Sequence, residues 1–98
     1  MTLEEIRVVL NGEFLVGHDK LNMELTTAFA ADLMSDVLAF ARPGCLLITG
    51  LTTSQSIRTV YALDIAAVVT CRGKMPQDQA LEGARELNIP IIRTKYIM

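Results

Sequence analysis

Between residues 45 and 93 the sequence changes its hydrophobic period again and again, and that alternation leaves few folds open. "CLLIT" (45–49) and "IAAVVT" (65–70) are near-continuous apolar runs, the composition of strands covered on both faces. Between and after them Ile57, Val60 and Tyr61, then Ala80, Leu81, Ala84 and Leu87, recur at helical spacing. "IPIIRT" supplies a third strand, with Pro90 at its beginning, where a missing N–H costs least. A βαβαβ run of this kind predicts parallel strands joined by right-handed crossovers.

The first half extends the pattern. Thr2 and Glu5 form a capping box before a short helix with Leu3, Ile6 and Leu10 inward, which Asn11-Gly12 stops. "EFLV" at 13–16 reads as a strand, and "ELTTAFAA" as another over 25–30, since its threonines, leucine and phenylalanine favour a pleat. Asp32 is then placed as the cap of a helix with Leu33, Val37, Leu38 and Ala41 inward, ended by Pro43-Gly44. The expected fold is α/β: α/β/α layers around a mostly parallel sheet of four to five strands near 13–16, 25–30, 46–49, 66–70 and 91–93.

Composition narrows the function. Ninety-eight residues without a linker predict one domain, 1–98, and 51% apolar content with 5% aromatics predicts an aliphatic core. The net charge is −2, and the nine Lys and Arg are scattered from Arg7 to Lys95, so no basic stripe offers itself to nucleic acid. The polar "TLEE" after Met1 and the shortness of every apolar run argue against a signal peptide or a membrane span. Cys45 and Cys71 lack a Cys-x-x-Cys spacing and have only His18 to join them, too few ligands for zinc. Two free thiols, read as small buried hydrophobes, suit a reducing cytoplasm.

The candidate chemistry lies beyond the strand ends. "LLITGLTTSQSIRTV" (46–60) has the outline of a phosphate cradle, but Gly50 is followed by neither a second glycine nor a lysine, so it is no P-loop. Thr49, Thr52, Thr53, Ser54 and Gln55 would line a crevice at a strand's carboxyl end, where open parallel sheets hold ligands. The plainer role is capping of the next helix by Thr52, Thr53 or Ser54. Arg72-Gly73 occupies the neighbouring turn and Arg93-Thr94 follows the last strand, so several strand ends could meet on one anion; alternatively Gly73 only supplies a positive φ and the arginines are solvated. Asp32 and Asp36, with Ser35 between, would suit a hydroxyl-rich ligand or Mg²⁺, or act simply as a cap and a first-turn acid. His18 has no acid or nucleophile at interpretable spacing and reads as a surface histidine.

"AADLMSDVLAFARPGCLLIT", "LDIAAVVTCRGKMPQDQALEGARELNIPIIRTKY" and, within them, "DLMSDVLA", the "RG" shortly before proline and "IPIIRTKY" resemble the DRTGG domain, a module similar to the N-terminal domain of HPr kinase/phosphorylase. Where that family has Asp-Arg and then Thr-Gly-Gly, this chain has Asn22-Met23 and Thr26-Thr27-Ala28, so only the threonine is kept. The resemblance implies a regulatory or ligand-sensing module without a Walker loop or an activity of its own. The resulting expectation is a non-catalytic module without cofactor or metal, binding a small anionic metabolite or nucleotide through Asp32, Ser35, Asp36, Thr49, Thr52, Thr53, Gln55, Arg72, Gly73, Arg93 and Thr94. The alternative is a homodimeric scaffold for a partner protein in a kinase- or hydrogenase-associated system. A homodimer is expected in addition because "IPIIRTKY" is followed only by Ile97 and Met98, leaving apolar Tyr96, Ile97 and Met98 to be buried against a second copy.

Overall fold

The computed structural model describes residues 1–97. In chain order it comprises α1 (Leu3–Val9), β1 (Glu13–Val16), a 3₁₀ turn (His18–Lys20), β2 (Ala28–Ala30), α2 (Met34–Phe40), β3 (Leu46–Thr49), α3 (Ser54–Ala62), β4 (Ala67–Thr70), α4 (Asp78–Leu87) and β5 (Ile91–Arg93). The five strands form one sheet in the order β1-β5-β4-β3-β2. Strands β2 to β5 are mutually parallel, and β1 joins β5 antiparallel, with a register shift between Phe14 and Val16. The α/β layering anticipated from the alternating periods is therefore present.

Because each parallel crossover has the same hand, α2, α3 and α4 share one face of the sheet. There Val37, Ile57, Val60, Ala80 and Ala84 meet Leu47, Val68 and Ile91 in one cluster. On the opposite face α1 and the segment before β2 supply cover, setting Leu3, Ile6 and Leu25 against Leu46, Ala67, Val69 and Ile92. β4 is buried at every position, as its unbroken apolar run requires. The capping box at Thr2 forms with both of its hydrogen bonds, Glu5 N–H to Thr2 Oγ1 and Thr2 N–H to Glu5 Oε1. Asn88 ends α4 in the left-handed region, with φ of 61°. Cys45 and Cys71 are buried and unbonded to one another.

Four expectations are corrected. The second strand is shorter than 25–30, because Leu25 leaves the sheet plane to pack under α1 and its N–H bonds to the Met1 carbonyl. Asp32 does not cap α2: the N-cap is Leu33, and no side chain caps that end. Leu33 and Leu38, taken as inward, are 63% and 58% exposed, since a seven-residue helix at the sheet's margin has room to bury only Val37, with Met34 and Ala41 packed beside it. Tyr61 is likewise turned outward on α3, at 59% exposure.

Candidate functional site

The carboxyl ends of β2, β3 and β4 open on one side of the sheet, and the chain closes them with its own charges. β3 ends at Thr49, whose hydroxyl accepts the Leu51 N–H at 3.1 Å and so bends the backbone into the turn before α3. Thr53 caps that helix, accepting the Ser56 N–H at 3.2 Å and sharing a 2.8 Å hydrogen bond with the Ser56 hydroxyl. The turn is tied to its neighbour by the Gln77 N–H, which donates to the Thr52 carbonyl at 3.0 Å.

After β4 the chain turns through Arg72 and Gly73, both in the left-handed region, with φ of 57° and 68°. Lys74 N–H closes the turn on the Cys71 carbonyl at 3.1 Å, the pattern of a tight turn with two positive φ values. Glycine adopts this conformation freely; arginine does so at a cost, and this outlier is held in place from outside. The Arg72 and Gly73 N–H groups donate to the Tyr96 and Thr94 carbonyls, each at 2.8 Å. The segment after β5 thus sets the conformation of the turn after β4.

That conformation sends the Arg72 side chain back across Gly50. Arg72 Nη1 donates to Asp32 Oδ2 at 3.2 Å, and the Gly50 N–H donates to Asp32 Oδ1 at 2.7 Å. Gly50 is required for closeness: a Cβ there would collide with Arg72 Nη2 and stand 3.1 Å from Asp32 Oδ1. The Gly50 N–H holds the Asp32 carboxyl below the usual carboxylate range; partial burial opposes it, while Arg72 and, from further off, Lys74 add to the lowering. One carboxylate thus occupies a seat made by a backbone N–H and a guanidinium, the donor set that would meet a phosphate or carboxylate of a ligand.

The remaining candidates divide. Arg93 lies next to Arg72-Gly73, but its guanidinium is engaged, Nε with the Gly73 carbonyl at 3.0 Å and Nη1 with Glu13 at 3.0 Å. Thr94 is buried and donates its hydroxyl to the Leu10 carbonyl at 2.7 Å, pinning the end of α1. Ser35, Asp36 and Gln55 are exposed on helix surfaces and take no part in this cluster. Beside Arg93, the turn between α1 and β1 and the end of β5 border an open cleft of about 390 Å³ carrying Arg93, Lys95, Asn11 and Tyr96. Asn22-Met23 and Thr26-Thr27-Ala28 lie at or before the amino end of β2, opposite the Asp32 end. His18 is exposed, its ring 5.7 Å from that of Phe14.

Three participants escaped sequence reasoning. The Gly50 N–H and the Asp32 carboxylate meet only because β2 and β3 are neighbours, and Glu13 reaches Arg93 only because β1 returns antiparallel to β5. Thr70, beside Thr49 in register, is 1% exposed, and its hydroxyl is the buried side-chain polar atom left without a partner among the described residues. Adjacency of strand ends after a βαβ unit was the available signal for the first pair; Thr70 had none. Among the described residues no cluster of metal-ligating side chains occurs and no helix is long and apolar enough to cross a membrane.

A family model for the DRTGG domain matches residues 5–97. No curated protein matches the chain. Among solved structures, the chain is similar to the CBS and DRTGG domains of the regulatory region of Clostridium perfringens pyrophosphatase, complexed with its activator diadenosine tetraphosphate. The TM-score is 0.79 at 18% identity, over 98% of this chain and 42% of that one. The chain therefore spans less than half of that regulatory region, and at this identity the likeness is one of fold.

Proposed function

Because the chain belongs to the DRTGG domain family, we propose that it is a non-catalytic regulatory module, a single domain over 1–98, that binds a small anionic metabolite or nucleotide at its strand-end turns. The observation that carries this reading is the seat filled by Asp32. A backbone N–H from the turn after β3 and a guanidinium from the turn after β4 already hold an oxyanion there, at 2.7 and 3.2 Å. Lys74 and Lys95 stand exposed in the adjoining turns, so the surroundings favour added negative charge. The activator in complex with the Clostridium perfringens regulatory region, diadenosine tetraphosphate, is a nucleotide with a chain of phosphates, which agrees in chemical class. The chain would act in the cytoplasm without a cofactor or metal, and neither nucleic acid nor membrane is assigned as a partner.

The test is a thermal-shift titration with inorganic phosphate, pyrophosphate, AMP, ATP and diadenosine tetraphosphate, repeated on Arg72→Ala. A ligand at a hundred times its dissociation constant stabilises by about 2.7 kcal/mol through mass action, and the shift should disappear in the variant. No shift with any of these anions overturns the ligand assignment. ATP hydrolysis by the chain, lost on Asp36→Ala, would overturn the non-catalytic one. The second reading, a homodimeric scaffold, is favoured by a separate observation: Leu33, Leu38 and Phe40 stand exposed along α2.

A further inference from the structure

The two margins of the sheet are built differently. β1 carries the charged Glu13 and a register shift, two of the devices that discourage pairing at an open edge. β2 has neither: "TTAFA" (26–30) contains no charge, no proline and no bulge. Thr27 O accepts the Leu46 N–H and Ala31 N–H donates to Ile48 O, so the odd-numbered residues of this strand face β3. The N–H and C=O groups of Ala28 and Ala30 therefore point away from the sheet, and both residues are exposed.

The flank of α2 beside this edge is apolar with a charge at either end. Leu33, Asp36 and Phe40 follow one another at helical spacing along the flank that adjoins the buried Val37, and Leu33 and Phe40 stay 63% and 66% exposed there. Phe40 and Arg42 border a hollow with Thr27, Ala28 and Phe29, which places them at the amino end of β2. Asp36 lies in the first turn of α2, at the carboxyl end of β2. Among the described residues neither Asp36 nor Arg42 forms an ion pair within the chain.

We propose that this edge is an interface with a second copy of the chain, β2 pairing antiparallel with β2 about a two-fold axis. The register follows from the free groups: Ala28 of one copy exchanges hydrogen bonds with Ala30 of the other, the axis repeats the exchange, and Phe29 faces Phe29. An edge this short does not hold two chains unaided, and the helix flanks supply the rest. Phe29 and Phe40 of both copies gather on the helical side, and each Leu33 gains apolar neighbours. Antiparallel pairing sets the amino end of one β2 against the carboxyl end of the other, so each Arg42 approaches the Asp36 of its mate. That complementarity is what singles out a second copy: a parallel arrangement would oppose like charges, and the two-fold satisfies both pairs at once. The inference locates the scaffold reading on a surface and is independent of the strand-end ligand.

Sedimentation or light scattering across about 1 µM to 1 mM, spanning the affinity range of weak self-association, should show mass rising from 10.8 kDa to twice that value. Ala30→Pro should abolish the rise while circular dichroism stays native, since the Ala30 N–H serves no bond inside the chain; Ala30→Lys tests the same edge without constraining the backbone. Asp36→Arg and Arg42→Asp should each weaken the dimer several-fold, and the double variant should regain it. A monomer throughout, growth beyond two copies, a dimer indifferent to the edge variants, or failure of the double variant to recover would each overturn the proposal. None of these outcomes bears on phosphate binding, so failure here is distinct from failure of the ligand titration.

Discussion

At the scale of single residues, the arrangement around Gly50 shows how much can depend on the absence of one Cβ. Gly50→Ala places a methyl group against the end of the Arg72 side chain, which is flexible enough to move away, so the fold should survive with a loss below about 1 kcal/mol, as for an exposed ion pair. The readout is instead the Asp32 carboxyl, whose titration, followed by ¹³C NMR, should rise toward the ordinary carboxylate value. The pH dependence has a definite sign. Asp32 is lowered in the folded state, so its contribution is present above the unfolded pKa and is lost as pH falls through the folded one. Thermal denaturation of the wild type and Asp32→Asn should therefore differ at pH 7 and converge in the acid range below about pH 4. A constant difference down to pH 2 would show that the carboxylate does not act through its charge.

At the scale of elements, burial separates changes that matter from those that do not. Ile91 is fully buried in the middle of the sheet, and Ile91→Ala should cost about 2–5 kcal/mol in urea denaturation. Leu38→Ala, on the exposed side of α2, should stay within about 0.5 kcal/mol. Thr53→Ala removes the cap of α3 and strands the Ser56 hydroxyl, and should cost about 1 kcal/mol. α2 differs from α3 and α4 in length and position. It is seven residues long, without a side-chain cap, and sits over the outermost parallel strand, so its stripe is only partly covered. The inward assignment of Leu33 and Leu38 fails there because periodicity identifies an apolar side but not how much protein lies opposite it.

At the scale of the molecule, protection should fall from the middle of the sheet to its margin. β4 is bonded on both sides and buried at every position, so its amides should exchange slowest with deuterium. The amides of Ala28 and Ala30 face away from β3 and should exchange quickly in dilute solution, then gain protection as concentration rises if β2 pairs with β2. Exchange monitored by NMR at two concentrations checks both statements. Met98, included in the expected association through the last three residues, lies outside the described residues; Tyr96 and Ile97 are exposed at 52% and 79%.

The order of elements, the parallel centre of the sheet and the buried faces of α3 and α4 could all be read from the chain, because hydrophobic period, caps and turn residues are local properties. Gly73 and Asn88 were legible for the same reason, as glycine and asparagine tolerate the left-handed backbone found at both. The seat of Asp32 was not. It needs Asp32, Gly50 and Arg72 on three adjacent strand ends, a left-handed Arg72 held by the Thr94 and Tyr96 carbonyls, and contact distances below 3.5 Å. Sequence spacing placed Asp32 as a helix cap because an aspartate before a helix meets local donors first; packing brought a better donor pair from 18 and 40 residues away. Local preference decides which elements form, whereas the pairing of distant polar groups is decided only when the strands lie side by side.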